Sequence, residues 1–228
     1  MKSVAPILLS ILFIVAIIVL MIVVSAYNRR KARERTEHLQ AVAKMLGWQF
    51  GQEAPMDWIP AMERFALFNS GHGKSITNIM FGHTNGVKAA LFDYTYVTGS
   101  GKHQQTHYQS VVYFEPSDLN LPVFSLRPEN FMHKIISALG YQDIDFGNRP
   151  TFSNQYLLRG NEEMAIRNTF NDALLAFYET NPGISTDGGG NQIFIFREGT
   201  HVPPDQIQAL IEWAARLQGM FPRNTRQS

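Results

Sequence analysis

"KSITNIMFGHTNGVKAALFDYTYVTGSGKHQQTHYQSVVYF", residues 74–114, decides the fold. Its runs at 74–81, 87–98 and 106–114 are rich in β-branched and aromatic residues, the composition of strands. Asn85-Gly86 between the first two supplies the left-handed residues that a two-residue hairpin requires. Gly99-Ser100-Gly101 turns the chain again before the third run. The spacing therefore predicts three consecutive strands in an antiparallel meander.

Upstream, residues 4–27 pass without a charge, twenty-four residues in all. About 20 suffice for a helix to cross a bilayer core of roughly 30 Å. A buried core helix would show a polar stripe, and this run is apolar all round apart from Ser10 and Ser25. A secretory signal has an apolar stretch of only about 7 to 15 residues, although Val24-Ser25-Ala26 resembles a cleavage site. The favoured reading is a retained transmembrane anchor over residues 1–28; the alternative is cleavage after Ala26 and export of residues 27–228. A basic collar follows, with Arg29, Arg30, Lys31, Arg33 and Arg35 against one Glu34, while Lys2 is the only charged side chain on the other flank. Basic residues near a span are held in the cytoplasm. The expected arrangement is a single pass through a cell membrane, the short N-terminus outside.

The net charge is +1 over the whole chain. Residues 1–35 carry six positive and one negative charge, which leaves residues 36–228 at −4. Basic character is confined to the membrane edge, where each Lys or Arg gains about 1 kcal/mol from anionic lipid headgroups. The expected partners are thus the lipid bilayer and anionic headgroups, with an unidentified protein partner allowed; a nucleic-acid binder would spread basic residues over its folded domain. The chain has no cysteine, which excludes disulfides, a cysteine nucleophile and Cys-ligated zinc.

Leu39, Val42, Ala43 and Leu46 recur at helical spacing before Gly47. Residues 29–46 are therefore read as a basic juxtamembrane helix, continuous with the anchor. The domain follows over 47–222, with a frayed tail at 223–228. Within it, a short helix starts near Asp57 and Pro60, and "PVFSL" is a further strand. Helices are expected over 129–139 and from a capping Asn161 to Pro182-Gly183. Residues 141–160 read as two short strands around a turn, "DGGG" (187–190) as a glycine turn entering a strand, and residues 202–222 as a last amphipathic helix. Strands and helices do not alternate in βαβ units. The fold class is α+β: a transmembrane helix, then a mainly antiparallel sheet with helices packed against it, segregated on one face.

Few residues suggest chemistry. His103 and His107 stand four apart, a spacing that shares a metal on a helix. Here Gln104 occupies the position of the general base, and in an extended segment the two rings lie roughly 13 Å apart. A turn histidine and a strand histidine, with no metal and no cofactor, is the reading preferred. Asp93 lies among Phe92, Tyr94 and Tyr96; burial there would raise its pKa and suit acid–base work, while a hydrogen-bonded structural role is the commoner fate. Asp143 and Asp145 fall on one side of an extended segment, about 6.6 Å apart. "SGHGKS" (70–75) lacks the first glycine of a phosphate loop and runs into a strand, and "DGGG" opens no helix.

In "LFDYTYVTGSGK", "LPVFSLRPENF", "GYQDIDF", "FSNQYLLRGNEE" and the glycine loop before the closing strand, the chain resembles a family of bacterial membrane-anchored proteins of unknown function. The resemblance covers most of residues 48–215 and implies a bacterial origin; it supplies no catalytic residue. The expected function is binding, as a scaffold, sensor or accessory module at the cytoplasmic membrane surface. The alternative is a membrane-tethered hydrolase or transferase using Asp93, Asp143, Asp145 or the histidines.

Overall fold

The computed structural model describes residues 5–54, 58–129 and 143–223, with side chains from Leu8 onward. The helix expected over 129–139, the Asp57 start signal and the tail therefore lie outside the described residues, apart from Glu129 and Arg223.

A single helix, α1 (Ala5–Met45), runs for 41 residues. At 1.5 Å per residue that is about 60 Å, roughly twice a bilayer core. Its apolar window is long enough to cross a membrane, and none of it is buried against the domain. The charged stretch does not interrupt it, and Gly47, at φ +70°, ends it. The helix thus passes through both segments separated at residue 28, and its C-terminal part enters the core with Leu39 and Ala43 wholly buried. Residues 35, 39 and 43 share one face by the four-residue spacing, so the side that buries Leu39 also turns Arg35 inward.

Among the described residues eight strands form one sheet in the order β1-β2-β3-β4-β8-β7-β5-β6. They are β1 (Gln49–Glu53), β2 (His72–Thr84), β3 (Val87–Thr98), β4 (Gln105–Glu115), β5 (Leu121–Pro128), β6 (Tyr156–Arg159), β7 (Ser185–Gly190) and β8 (Gln192–Phe196). Every pairing is antiparallel. Asn85 and Gly86, at φ +52° and +78°, make the β2–β3 turn. A 3-10 turn, Gly101–His103, precedes β4.

The helices are α2 (Trp58–Met62), α3 (Ala66–Asn69), α4 (Pro150–Gln155), α5 (Glu163–Thr169), α6 (Asp172–Thr180) and α7 (Ile207–Gly219). They cover both faces, which corrects the expectation of a single covered face. Side chains alternate along β3: Ala89 and Leu91 join a core with Leu39 and Ala43 of α1 and Ile211, Ala214 and Leu217 of α7. Ala90, Phe92, Tyr94 and Tyr96 face the other way, beneath Met62, Phe65, Leu67 and Phe68 from α2 to α3. A strand apolar on both sides must be covered on both.

Three further expectations are corrected. The helix expected from Asn161 is two helices, broken at residues 170–171, and Asn171 caps the second by accepting from the Leu174 amide at 3.0 Å. Residues 150–155 form α4, so the two-strand segment reduces to β6 and an isolated bridge between Asp143 and Arg159. "DGGG" is a turn only at its end: Asp187, Gly188 and Gly189 pair within β7, while Gly190, at φ +59°, begins the turn into β8. A Cβ at Gly188 would stand 2.4 Å from the Phe124 ring of β5, so glycine here serves close packing and not a turn.

Candidate functional site

Asp93 is 2% exposed on β3 and faces α1. Arg35 meets it side-on, Nε donating to Oδ2 and Nη2 to Oδ1, both at 2.8 Å. Such a bidentate pair is the strongest form of a charge-assisted contact. Arg35 Nη1 also donates to the Val202 carbonyl at 2.8 Å, so the loop before α7 is bound as well. Ser110 of β4 donates to Asp93 Oδ1 at 2.9 Å and accepts from the Val202 amide at 3.1 Å.

A bulge completes the centre. The β2–β3 register shifts between Thr77 and Met80, and Asn78 adopts φ +51° there. That left-handed conformation is tolerable for asparagine. It aims the Asn78 amide at Asp93 Oδ2, 2.9 Å away, while its Oδ1 accepts from Thr36 of α1 at 2.8 Å. Burial alone would raise the Asp93 pKa, but the bonds and charge of Arg35 outweigh it and hold the carboxyl below its ordinary value. His201 Nε2 lies 3.9 Å from Asp93 Oδ1. Burial lowers the His201 pKa against the pull of Asp93.

A second buried centre sits on the opposite face. Arg127 of β5 donates to Asp187 of β7 at 2.6 and 3.0 Å, its Nε stands 3.3 Å from Glu198 Oε1, and its guanidinium lies 4.8 Å over the Phe196 ring. Asp187 Oδ2 accepts from the Leu67 amide of α3 at 2.8 Å. Two carboxylates thus share one cation, and burial, eased by Arg127 and reinforced by Asp187, raises the Glu198 pKa.

On that same face the strand register builds a hollow. Cross-strand rows run His83–Lys88–Glu115, then Phe81–Ala90–Tyr113, then Phe92–Val111. Ala90 is the small residue between two rings. Trp58, Ala61 and Met62 of α2 stand over it, and Trp48, which packs on the α1 face of β2, borders it at the sheet edge, leaving a groove of about 700 Å³. Gly82 lets Trp48 lie against β2, since a Cβ there would be 2.5 Å from the indole. Phe81 remains 40% exposed on the groove wall.

The residues singled out in the sequence fall in separate places. Asp93 and Arg35 meet, so Arg35 is turned to the domain, while Arg29, Arg30, Lys31 and Arg33 remain exposed on α1. Asp143 pairs with Arg159 beside β6, at the far edge of the sheet from β2 and β3. Asp145 is exposed next to it. His103 is exposed in the 3-10 turn; His107 on β4 bonds Thr98 at 2.7 Å and stacks on Tyr96. Among the described residues no three His, Asp or Glu side chains gather as a metal site. The roles of Asn78, Ser110, Arg127, Asp187 and Glu198 have no local signal in the sequence beyond the isolated charge of Arg127 in an apolar strand.

No family model and no curated protein matches the chain. Among solved structures it is similar to the mycobacterial trehalose monomycolate transport factor A, TtfA, with a TM-score of 0.60 and 13% identity over 84% of this chain and 98% of that one. At that identity the likeness shows a shared fold.

Proposed function

We propose that the chain is a single-pass protein of a bacterial inner membrane, N-terminus outside, whose cytoplasmic domain acts by binding, as an accessory module in lipid handling at the membrane surface. The observation that carries this reading is the path of α1. The helix continues unbroken from its apolar window into the core and is fixed there by Arg35 on Asp93. Cleavage after Ala26 would cut inside that helix. Four exposed cations directly below the apolar stretch suit anionic headgroups and a cytoplasmic domain. The neighbour with this fold is named a trehalose monomycolate transport factor, which supports the lipid side of the reading. Asp93, spent on holding α1, serves attachment rather than catalysis.

The cysteine-free sequence makes the test direct. Ser3→Cys should react with a membrane-impermeant maleimide in intact cells, and Lys102→Cys only after lysis. The opposite pattern, or a mature N-terminus at Tyr27 with the domain in the soluble fraction, would overturn the reading.

A further inference from the structure

We infer that the groove over Ala90 is a binding site for a single acyl chain carrying an anionic head. The inference deepens the lipid-handling reading above and rests on it for its biological setting, but the groove's own chemistry selects the ligand. Walls and floor come from Trp58, Met62, Phe81 and Phe92, with Trp48 at the sheet-edge end. Gln49 of β1 lies beside Phe81, and the other polar side chains of the lining gather along one border. There Lys88 stands between His83 and Glu115 in the cross-strand row, and Tyr113 accepts a bond from the Gln192 amide at 3.1 Å. Apolar walls with a few polar groups on one side are the usual make-up of a small-ligand site, and 700 Å³ lies within the usual range.

A peptide in the same place would bring backbone N–H and C=O groups against aromatic walls, leaving polar groups without partners. A hydrocarbon chain has none to satisfy. Lys88 supplies the complementary charge for the head: it is 68% exposed and only loosely paired with Glu115 at 3.8 Å, so its ammonium is free to turn to a carboxylate or phosphate at the border. The Arg64 guanidinium, bonded to Gln192, adds a second cation on the same side.

The position also makes a clean experiment. Trp48 lies just past the end of α1, roughly 25 Å along the helix from Asn28. Bromine dissolved in the bilayer cannot reach it. Full-length protein carrying Trp213→Phe, reconstituted in nanodiscs, keeps only Trp58 over the groove and Trp48 at its edge. Terminally brominated dodecanoate should quench their fluorescence saturably. Ala61→Phe, on the exposed side of α2, and Ala90→Phe should each weaken this at least about tenfold. Lys88→Ala should weaken dodecanoate about threefold to fivefold and leave brominated dodecanol unchanged. A brominated lysophosphatidylglycerol arm distinguishes the source: tighter saturation than dodecanoate assigns the site to a monoacyl phospholipid, weaker saturation to a free fatty acid. Absence of saturable quenching, or quenching indifferent to both groove variants, overturns the site. Equal affinity for alcohol and acid overturns the anionic head. Neither result touches the maleimide test of the anchor, so the two readings fail separately.

Discussion

Two buried aspartates, Asp93 and Asp187, each face an arginine, one on either side of the sheet. Asp93 is matched one to one by Arg35, and its remaining acceptor capacity is met by Asn78 and Ser110. Asp187 shares Arg127 with Glu198, two acids on one cation. The first centre joins the domain to a helix that leaves it; the second joins β5, β7 and α3 within it. Charge is balanced where two bodies must be fixed together, and left one proton short where the fold is closed on itself.

That contrast is open to attack by substitution. Arg127→Ala, which strands two acids, should cost about 5 kcal/mol, the upper end for a broken buried pair, or abolish folding, read as denaturant unfolding in detergent. Arg35→Ala should cost about 3 to 5 kcal/mol in the same measurement. Adding Asp93→Asn should recover part of that loss, because the uncompensated charge disappears with it. Equal losses in the single and double variants would break the idea that Arg35 neutralises Asp93.

A smaller effect tests whether β7 is a strand. Gly188→Ala should cost about 1 to 3 kcal/mol, since its Cβ would meet Phe124 at 2.4 Å. A turn would tolerate it. The least effect comes from protonation, and the two centres should respond with opposite sign. Asp93 has a folded pKa below its ordinary 3.8, so its contribution is fully present above that value and is lost as the pH falls below it, through the folded value. Glu198 has a folded pKa above its ordinary 4.5, so its contribution is full below 4.5 and is lost as the pH rises through the folded value. Glu198→Gln should therefore leave stability at pH 7 equal or higher, by about 1 kcal/mol at most, and flatten the rise toward pH 5. A clear loss at pH 7 would show that the Arg127–Glu198 charge pair outweighs its burial.

The two aspartates also differ in how far the sequence reveals them. Asp93 could be singled out because it interrupts an aromatic strand whose period is clear. Its partner could not, since Arg35 stands in a basic run that has its own explanation at the membrane, and nothing local links residues 58 apart. Asp187 is hidden by the three glycines after it, which ordinarily signal a turn. Here only Gly190 serves a turn; Gly188 and Gly189 are forced by Phe124 and Phe65 packing on the two faces of β7, a tertiary fact. The β2–β3–β4 meander was legible because it follows a local period, and the long N-terminal helix because residues 4–27 are apolar and carry no charge. The break at residue 170 was not, because Phe170 and Leu174 keep the apolar spacing across it while Asn171 starts a new helix. The groove is written in Ala90 between Phe81 and Tyr113, but only the register places those three side by side.

The central claim is that anchor and domain form one body, fixed at Arg35. Spin labels on Lys31→Cys and Lys102→Cys in an otherwise cysteine-free chain measure it directly, as a distance distribution by double electron–electron resonance in nanodiscs. One narrow distribution that broadens when Arg35→Ala is added is the expected result. A broad distribution in the parent protein, or a narrow one unchanged by Arg35→Ala, would contradict it.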